Sequence, residues 1–314
     1  MERIIITGAA GNLGSLLARE MARDGAPLRL FWHRRPVSDD LAACPGVETC
    51  QVDLGHPETL RGHLREGATI VHFAGVLFRA DPQKFLHTTN THYFRNLLDE
   101  ALRAGVRRIV LISFPHVEGE TTPDRPARGR LDGRPVSVHA ATRLEEERLL
   151  FAHSDRLEAV SLRVGMVYGR GILMLDAARW FSRRWLLGVW RRPTWIHLIS
   201  APDFVAAAKA AACKPGIRGI YHVGDEGVQT LQQFLDDAAR RWSAKRPWRM
   251  PLWMIYAAAR GFESVSRITG WRAPLTRDFI TIGRVSYYGD TERMRRELLP
   301  ELRYRTYREG LEIL

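Results

Sequence analysis

The stretch TGAAGNLG at residues 7–14 decides the fold. It follows the apolar run Ile4–Ile6, and Leu13, Leu16, Leu17 and Met21 then recur at helical spacing. A strand that turns through three glycines into a helix is the arrangement a dinucleotide needs. Gly8, Gly11 and Gly14 permit the tight turn, the close approach of a pyrophosphate to backbone N–H groups, and close helix–strand packing. The helix N-terminus adds partial positive charge. Ala10, Asn12 and Leu13 complete the loop and belong to the same cofactor cradle.

Outward from this loop, apolar runs alternate with helical stretches. Leu28–Trp32, Val47–Asp53, Thr69–Ala74 and Arg108–Ser113 read as strands. Pro82 to Ala104 reads as one long helix with Phe94, Leu97, Leu98 and Leu102 on one face. Residues 119–138 are a Pro/Gly/Arg-rich loop, long enough to be mobile. His139–Ala152 returns to helix and Glu158–Val164 to strand. The pattern predicts an α/β fold: a Rossmann-type doubly wound parallel sheet with a smaller, discontinuous C-terminal substrate lobe. Residues 1–165 form the dinucleotide-binding domain and 166–314 mainly the lobe, with 196–225 returning to the core.

The end of the second strand chooses between cofactors. An acid there would hold ribose hydroxyls, and an arginine would accept a 2′-phosphate. The chain reads Trp32-His33-Arg34-Arg35, with no carboxylate until Asp39, which favours NADP over NAD. Asp53 and Leu54, after the third strand, are placed at the adenine. A capping role for Asp53 before His56-Pro57-Glu58 competes with that reading.

Composition bounds the rest. The chain has 314 residues and a formal charge of +12, carried almost wholly by scattered arginines. No nucleic-acid motif accompanies that charge, so nucleic acid is not an expected partner. The three cysteines form no CxxC, which suggests a reduced cytoplasmic protein, and no metal is expected. MERIIITG enters a strand directly, leaving no room for a signal peptide. No apolar run approaches the ~20 residues of a membrane span.

Further segments follow in a recognisable order: Val71-His72-Phe73-Ala74-Gly75, Asn90, LRVGMVYGRG at 162–171, Pro202-Asp203-Phe204-Val205, Tyr221-His222-Val223-Gly224 and Tyr288-Gly289-Asp290-Thr291. With TGAAGNLG they resemble the extended short-chain dehydrogenase/reductase family, in its NAD-dependent epimerase/dehydratase and 3β-hydroxysteroid dehydrogenase branch. The resemblance covers most of the chain. It implies that Phe73, Ala74, Gly75 and Asn90 join the cofactor site, and that the chain pairs as a homodimer through the helices holding Asn90 and His139.

That family works with a serine, a tyrosine and a lysine, the last two as YxxxK. With Val117 and Gly119 setting the register, the resemblance puts Phe114 at the serine, His139 at the tyrosine and Arg143 at the lysine. Phe114 offers no hydrogen bond. His139 can carry protons near neutrality. Arg143 can bind ribose hydroxyls but is no proton relay. A competing reading has His139 simply begin its helix with no catalytic part, while Arg143 holds the cofactor. Tyr93, His116 and Tyr168 are the candidate substitutes. Ser113 lies one residue early and is expected to face the other side of the sheet.

Residues 180–195 read WFSRRWLLGVWRRPTW, and PLWMIYAAARGF at 251–262 is an apolar helix candidate. Val76, Phe78, Phe114, Met166, Trp180 and Trp185 are assigned to the substrate pocket. The aromatic, basic lobe suits a flat or lipid-like substrate, a peripheral membrane contact, or a lobe core with a dimer surface. Phosphosugar binding by the arginines stays open. The expected activity is an NADP-dependent oxidoreductase of a small, largely apolar or aromatic carbonyl or hydroxyl substrate with a rearranged proton donor. The alternatives are a non-redox isomerase, cyclase or lyase, and a catalytically silent NADP-sensing protein.

Overall fold

The computed structural model describes residues 3–76, 81–269, 273 and 275–314. In chain order the first half runs β1 (Ile4–Thr7), α1 (Asn12–Arg23), β2 (Leu28–Trp32), the short α2 (Asp39–Ala42), β3 (Val47–Gln51), β4 (Thr69–His72), α3 (Tyr93–Arg103), β5 (Arg108–Ser113), α4 (Val138–Phe151) and β6 (Glu158–Val164). The second half runs β7 (Met166–Tyr168), α5 (Leu173–Arg183), β8 (Gly188–Trp190), β9 (Trp195–Ile196), β10 (Leu198–Ser200), α6 (Ala201–Cys213), β11 (Gly219–Val223), β12 (Gln229–Thr230), α7 (Leu231–Arg241), β13 (Trp248–Met250), α8 (Leu252–Thr269), α9 (Arg277–Gly283) and α10 (Glu292–Glu297).

Seven strands form one parallel sheet in the order β11-β6-β5-β4-β1-β2-β3. Chain order reverses between β1 and β4, so the connections leave for opposite faces there. A crevice opens at the carboxyl ends of those two strands. Both faces are covered, and the central strands are correspondingly apolar: Ile4, Ile5, Ile6, Ile70, Val71, Ile109, Val110 and Leu111 are all buried. Residues 219–223 rejoin the sheet beside β6, while three two-stranded ribbons (β7–β10, β9–β12 and β8–β13) stand outside it, the first packed into the same core.

The long helical stretch starts at Leu86 rather than Pro82 and runs unbroken to Arg103, with a wider turn inside it. A 3-10 turn at Pro82–Lys84 and a wide π turn at His87–His92 precede α3, which buries Phe94, Leu97 and Leu98 and leaves Leu102 half-buried. The wider turn places Asn90 in the interior, a common sign of a functional site. The 119–138 loop is tied to the body at several points. Glu118 accepts hydrogen bonds from the backbone of Arg128, Gly129 and Arg130 at 3.2, 2.7 and 3.1 Å. Thr121 and Ala127 bond the backbone of Ser286 and Tyr288.

Two fully buried arginines brace the frame. Arg108, fully buried, donates to the carbonyls of Ala211, Ala212 and Lys214 at the end of α6, satisfying acceptors a helix terminus leaves open. Arg163, also fully buried, lies between Glu147 (2.6 Å) and Glu118, and Ser161 Oγ donates to Glu147 at 2.8 Å.

Candidate active site

The glycine loop sits at the switch point. Gly8 has φ +67°, and a Cβ there would lie 2.9 Å from the Ala74 nitrogen just beyond β4. A Cβ on Gly14 would come within 2.5 Å of the Gly8 carbonyl oxygen. The loop therefore closes on itself, and its N–H groups open the α1 N-terminus to an anion. Thr7 Oγ1 bonds His72 Nδ1 at 2.8 Å and receives Ala74 N at 3.4 Å, locking β1 to β4 beside the cradle. Ala10 and Leu13 are half-buried, Leu13 against the core. Asn12 is turned toward the lobe: its Nδ2 donates to Gly171 O at 2.5 Å and its Oδ1 accepts from Leu173 N at 3.1 Å. It ties the loop to the start of α5. No local pattern signals this contact across the chain.

At the far end of β2, Arg34 and Arg35 are exposed and make no side-chain hydrogen bond or ion pair among the described residues. Asp53 is committed to its own turn: Oδ1 accepts from Gly55 N at 2.9 Å and Oδ2 pairs with His33 Nε2 at 3.2 Å. Leu54 O receives Asn96 Nδ2 at 2.8 Å. Tyr93 belongs to this turn as well, its ring 3.0 Å from where Gly55 would carry a Cβ. It stands with the adenine-side turn rather than with His139.

The third cluster gathers around α4, whose first turn is capped by Ser137 Oγ accepting from Ala140 N at 3.2 Å. Arg143 donates from Nη1 to Glu146 at 2.6 Å and from Nη2 to Ala74 O at 3.1 Å. Its guanidinium occupies the space a side chain at Gly75 would take. Asn90 Nδ2 donates to Thr142 Oγ1 at 3.0 Å, and Thr142 Oγ1 donates to His139 O at 3.1 Å. Asn90 Oδ1 is buried with no partner and lies near Gly75. A buried acceptor left open between the cradle and Arg143 fits a bound dinucleotide.

His139 and His116 flank Phe114, with ring centroids 5.0 and 5.1 Å away. His116 Nε2 bonds Val285 O at 3.1 Å, and its Nδ1 is buried without a partner. The His139 ring makes no hydrogen bond among the described residues. Burial first, and then the neighbouring Arg143 and His116, lower His139 to about 3. Burial likewise holds His116 at about 4. Both rings are neutral near pH 7. Burial pushes Glu146 upward against the pull of Arg143. Ser113 is buried and its Oγ has no partner. Tyr168 is enclosed by Phe234, Gly310 and the Thr306 carbonyl, none of which belongs to this cluster. Its ring is buried in the main core cluster against Phe234.

Buried neutral histidines predict an acid-labile fold. His72 and His197 join His116 and His139, lowered by burial to about 3 and 4. Each folded value lies below the ordinary 6.5, so the unfolded chain binds the proton first as pH falls. Stability is full above 6.5 and is lost toward pH 4 to 3, at about 1.4 kcal/mol per pH unit per ring. Urea unfolding at pH 7.5 and pH 5 is expected to show a clearly lower midpoint at pH 5. An unchanged midpoint would contradict the neutral assignments.

The substrate-side residues divide. Val76 is half-buried beside Gly75, and Met166 is half-buried against the core. Phe78 lies outside the described residues. Trp180 and Trp185 are 48% and 57% exposed, on the surface rather than in an enclosed pocket. A cleft of about 390 Å³ between Gly129, Gly219, His222 and Arg293 shares no residue with the cradle. Glu48, Cys50 and His63 bring possible metal-ligating atoms within 4.8 Å of one another, but Glu48 is already paired with Arg3 and Arg29.

A doubly wound parallel sheet with this glycine turn at its switch point defines a nicotinamide-dinucleotide scaffold of the short-chain dehydrogenase/reductase type. The pattern of the NAD dependent epimerase/dehydratase family matches residues 4–189, more than half of the chain, and the chain belongs to that family. It is 30% identical over 169 residues to a uronate dehydrogenase of Pseudomonas syringae pv. tomato, covering 52% of this chain and 58% of that protein. The chain thus spans little more than half the length of that relative. It is 29% identical over 275 residues to a ceramide reductase of Caulobacter vibrioides, covering 85% and 79% of the two. The fold resembles the UDP-glucose 4-epimerase of Thermus thermophilus in complex with NAD, with TM-score 0.74, 20% identity, and 99% and 97% coverage. Among the described residues no helix is long and apolar enough to cross a membrane.

Proposed function

We propose that this chain is an NADP-dependent oxidoreductase of a small, largely apolar or aromatic carbonyl or hydroxyl compound, with its proton path rebuilt. The observation that carries this reading is the joint state of the cradle and Arg143. The loop has its backbone geometry intact, and Arg143 reaches the carbonyl of Ala74, the residue whose nitrogen stands against Gly8. The cofactor would supply the hydride. Gly8, Gly11 and Gly14 would hold its pyrophosphate, and Arg143 and Asn90 the nicotinamide ribose. Arg34 and Arg35, unpaired at the end of β2, would take the 2′-phosphate.

At the reacting end Phe114 contributes only apolar area. His139, neutral and desolvated, can donate one N–H to a substrate oxygen without carrying a full charge, the way a neutral imidazole polarises a carbonyl. The proton itself then has to come from water. The pH–rate profile should therefore lack a limb near the ordinary histidine value.

Fluorescence titration with NADPH and NADH, followed by cofactor absorbance with a panel of ketones and alcohols, tests this reading. Tight NADPH binding with turnover supports it. Binding without turnover on any of the panel would shift the choice to the silent sensor, which the missing serine and the unbonded His139 ring favour. No binding of either nucleotide would leave a non-redox enzyme. Arg34→Ala/Arg35→Ala is expected to weaken NADPH about tenfold or more, on the order of one or two charge-assisted phosphate bonds, with NADH unchanged. An equal loss for both nucleotides would remove the 2′-phosphate assignment.

A further inference from the structure

Large apolar side chains exposed on this protein are not scattered. Of the eleven among the described residues, nine fall within 173–186 or 248–268, so one lobe carries the surface. Trp185 and Trp248 are joined there: Trp248 Nε1 donates to the Trp185 carbonyl at 2.9 Å, next to the paired β8 and β13. Trp185 holds φ at +60°, a conformation a bulky residue adopts only under constraint, and it leaves the indole 57% exposed. The Lys245 ammonium sits 3.5 Å above its ring, and the Arg184 guanidinium 3.9 Å above Trp180.

Helix α8 is apolar on two sides. Its inner stripe, Ile255, Ala259 and Glu263, is buried against α9, while Met254, Ala258, Gly261, Val265 and Ile268 run along the exposed side. The exposed side thus mixes apolar residues with Arg260 and Arg267, as an interfacial helix does.

The charge around this surface chooses the occupant. Residues 173–192 and 243–269 hold ten arginines and lysines and two carboxylates, Asp176 and Glu263; of the ten cations, Arg246 and Arg249 pair with Asp236 and Arg267 with Asp81. Glu263 is buried and paired with Arg277 at 2.7 Å. Arg183, Arg192 and Arg260 have no carboxylate partner among the described residues. A second copy of this chain would set the same cations against each other. We propose that this face rests on an anionic phospholipid bilayer, with the tryptophans at headgroup depth and the arginines on phosphates. The contact is peripheral, and it does not depend on the redox reading because vesicle binding needs no turnover.

The test is co-sedimentation with phosphatidylcholine vesicles made with and without phosphatidylglycerol. The full chain is expected to bind the anionic vesicles at least about tenfold more strongly, with salt weakening the interaction. Trp185→Ser/Trp248→Ser should cut binding and abolish the accompanying blue shift of tryptophan emission. Arg183→Glu/Arg184→Glu should lower partition by roughly fivefold or more per charge. Ile268→Asp, at an 86% exposed position, serves as a variant whose fold is not at risk. Absence of binding to anionic vesicles at low salt would overturn the proposal. So would variants that bind like wild type, or a concentration-dependent dimer that the same substitutions abolish.

Discussion

Gly14→Ala is expected to lower nicotinamide-nucleotide affinity by about two orders of magnitude, because a loop displaced by about 1 Å no longer aims its N–H groups at the pyrophosphate. The physical cause is local. The new Cβ would stand 2.5 Å from the Gly8 carbonyl oxygen and 3.3 Å from Ala9 Cα, both backbone atoms that cannot rotate away. Gly8 cannot yield easily either, since its φ of +67° and its contact with Ala74 hold the turn. Direct titration of the purified variant reads the effect, and a thermal melt separates it from unfolding. Near-normal affinity with an intact fold would mean that the pyrophosphate does not sit over this loop.

Arg163→Met is expected to be the most destabilising single change. Its guanidinium is fully buried and donates to both Glu147 oxygens, to Glu118 and to the Arg130 carbonyl. Removing it leaves two enclosed carboxylates without their cation, a loss of about 3–5 kcal/mol. At roughly 2–4 °C per kcal/mol the melting temperature should fall by about 10 °C. Adding Glu118→Gln and Glu147→Gln should recover much of that loss, since neutral amides no longer need the charge. The pH dependence has a definite sign. Burial works against the Glu118 charge, but the His222 ring, whose Nε2 stands 3.5 Å away, and Arg163 outweigh it and hold the carboxyl at about 2. That stabilisation is complete above the ordinary carboxylate range and is lost as pH falls from about 4.5 toward 2. In Arg163→Met this acid-side loss should shrink.

Much of the scaffold was legible because its signals are local. An apolar strand, a glycine turn and an amphipathic helix lie within twenty residues, and the alternation repeats down to Val164. The wider turn at His87–His92 inside the helix before α3 was not legible. Its apolar spacing is helical throughout, and only the tertiary bond from Asn90 to Thr142 reveals why the chain widens there. Asp53, Tyr93 and Tyr168 show the same limit. Each is a plausible site residue by position, and each is claimed by a neighbour distant in sequence or by the turn around it. His139 is the sharper case: its type suggested a proton carrier near neutrality, whereas its neutrality follows first from burial, which spacing does not reveal, with Arg143 one helical turn on adding to it.

Arg143 and Gly75 are complementary in shape, and that fit constrains any attempt to convert this site. A lysine at 143 is narrower and carries no planar fork. Beside Gly75 it would leave a void where the guanidinium now stands, and Glu146 would keep only a point charge to lean on. Rebuilding the usual serine, tyrosine and lysine at 114, 139 and 143 thus also disturbs Gly75 and Glu146, which now receive and pair the guanidinium.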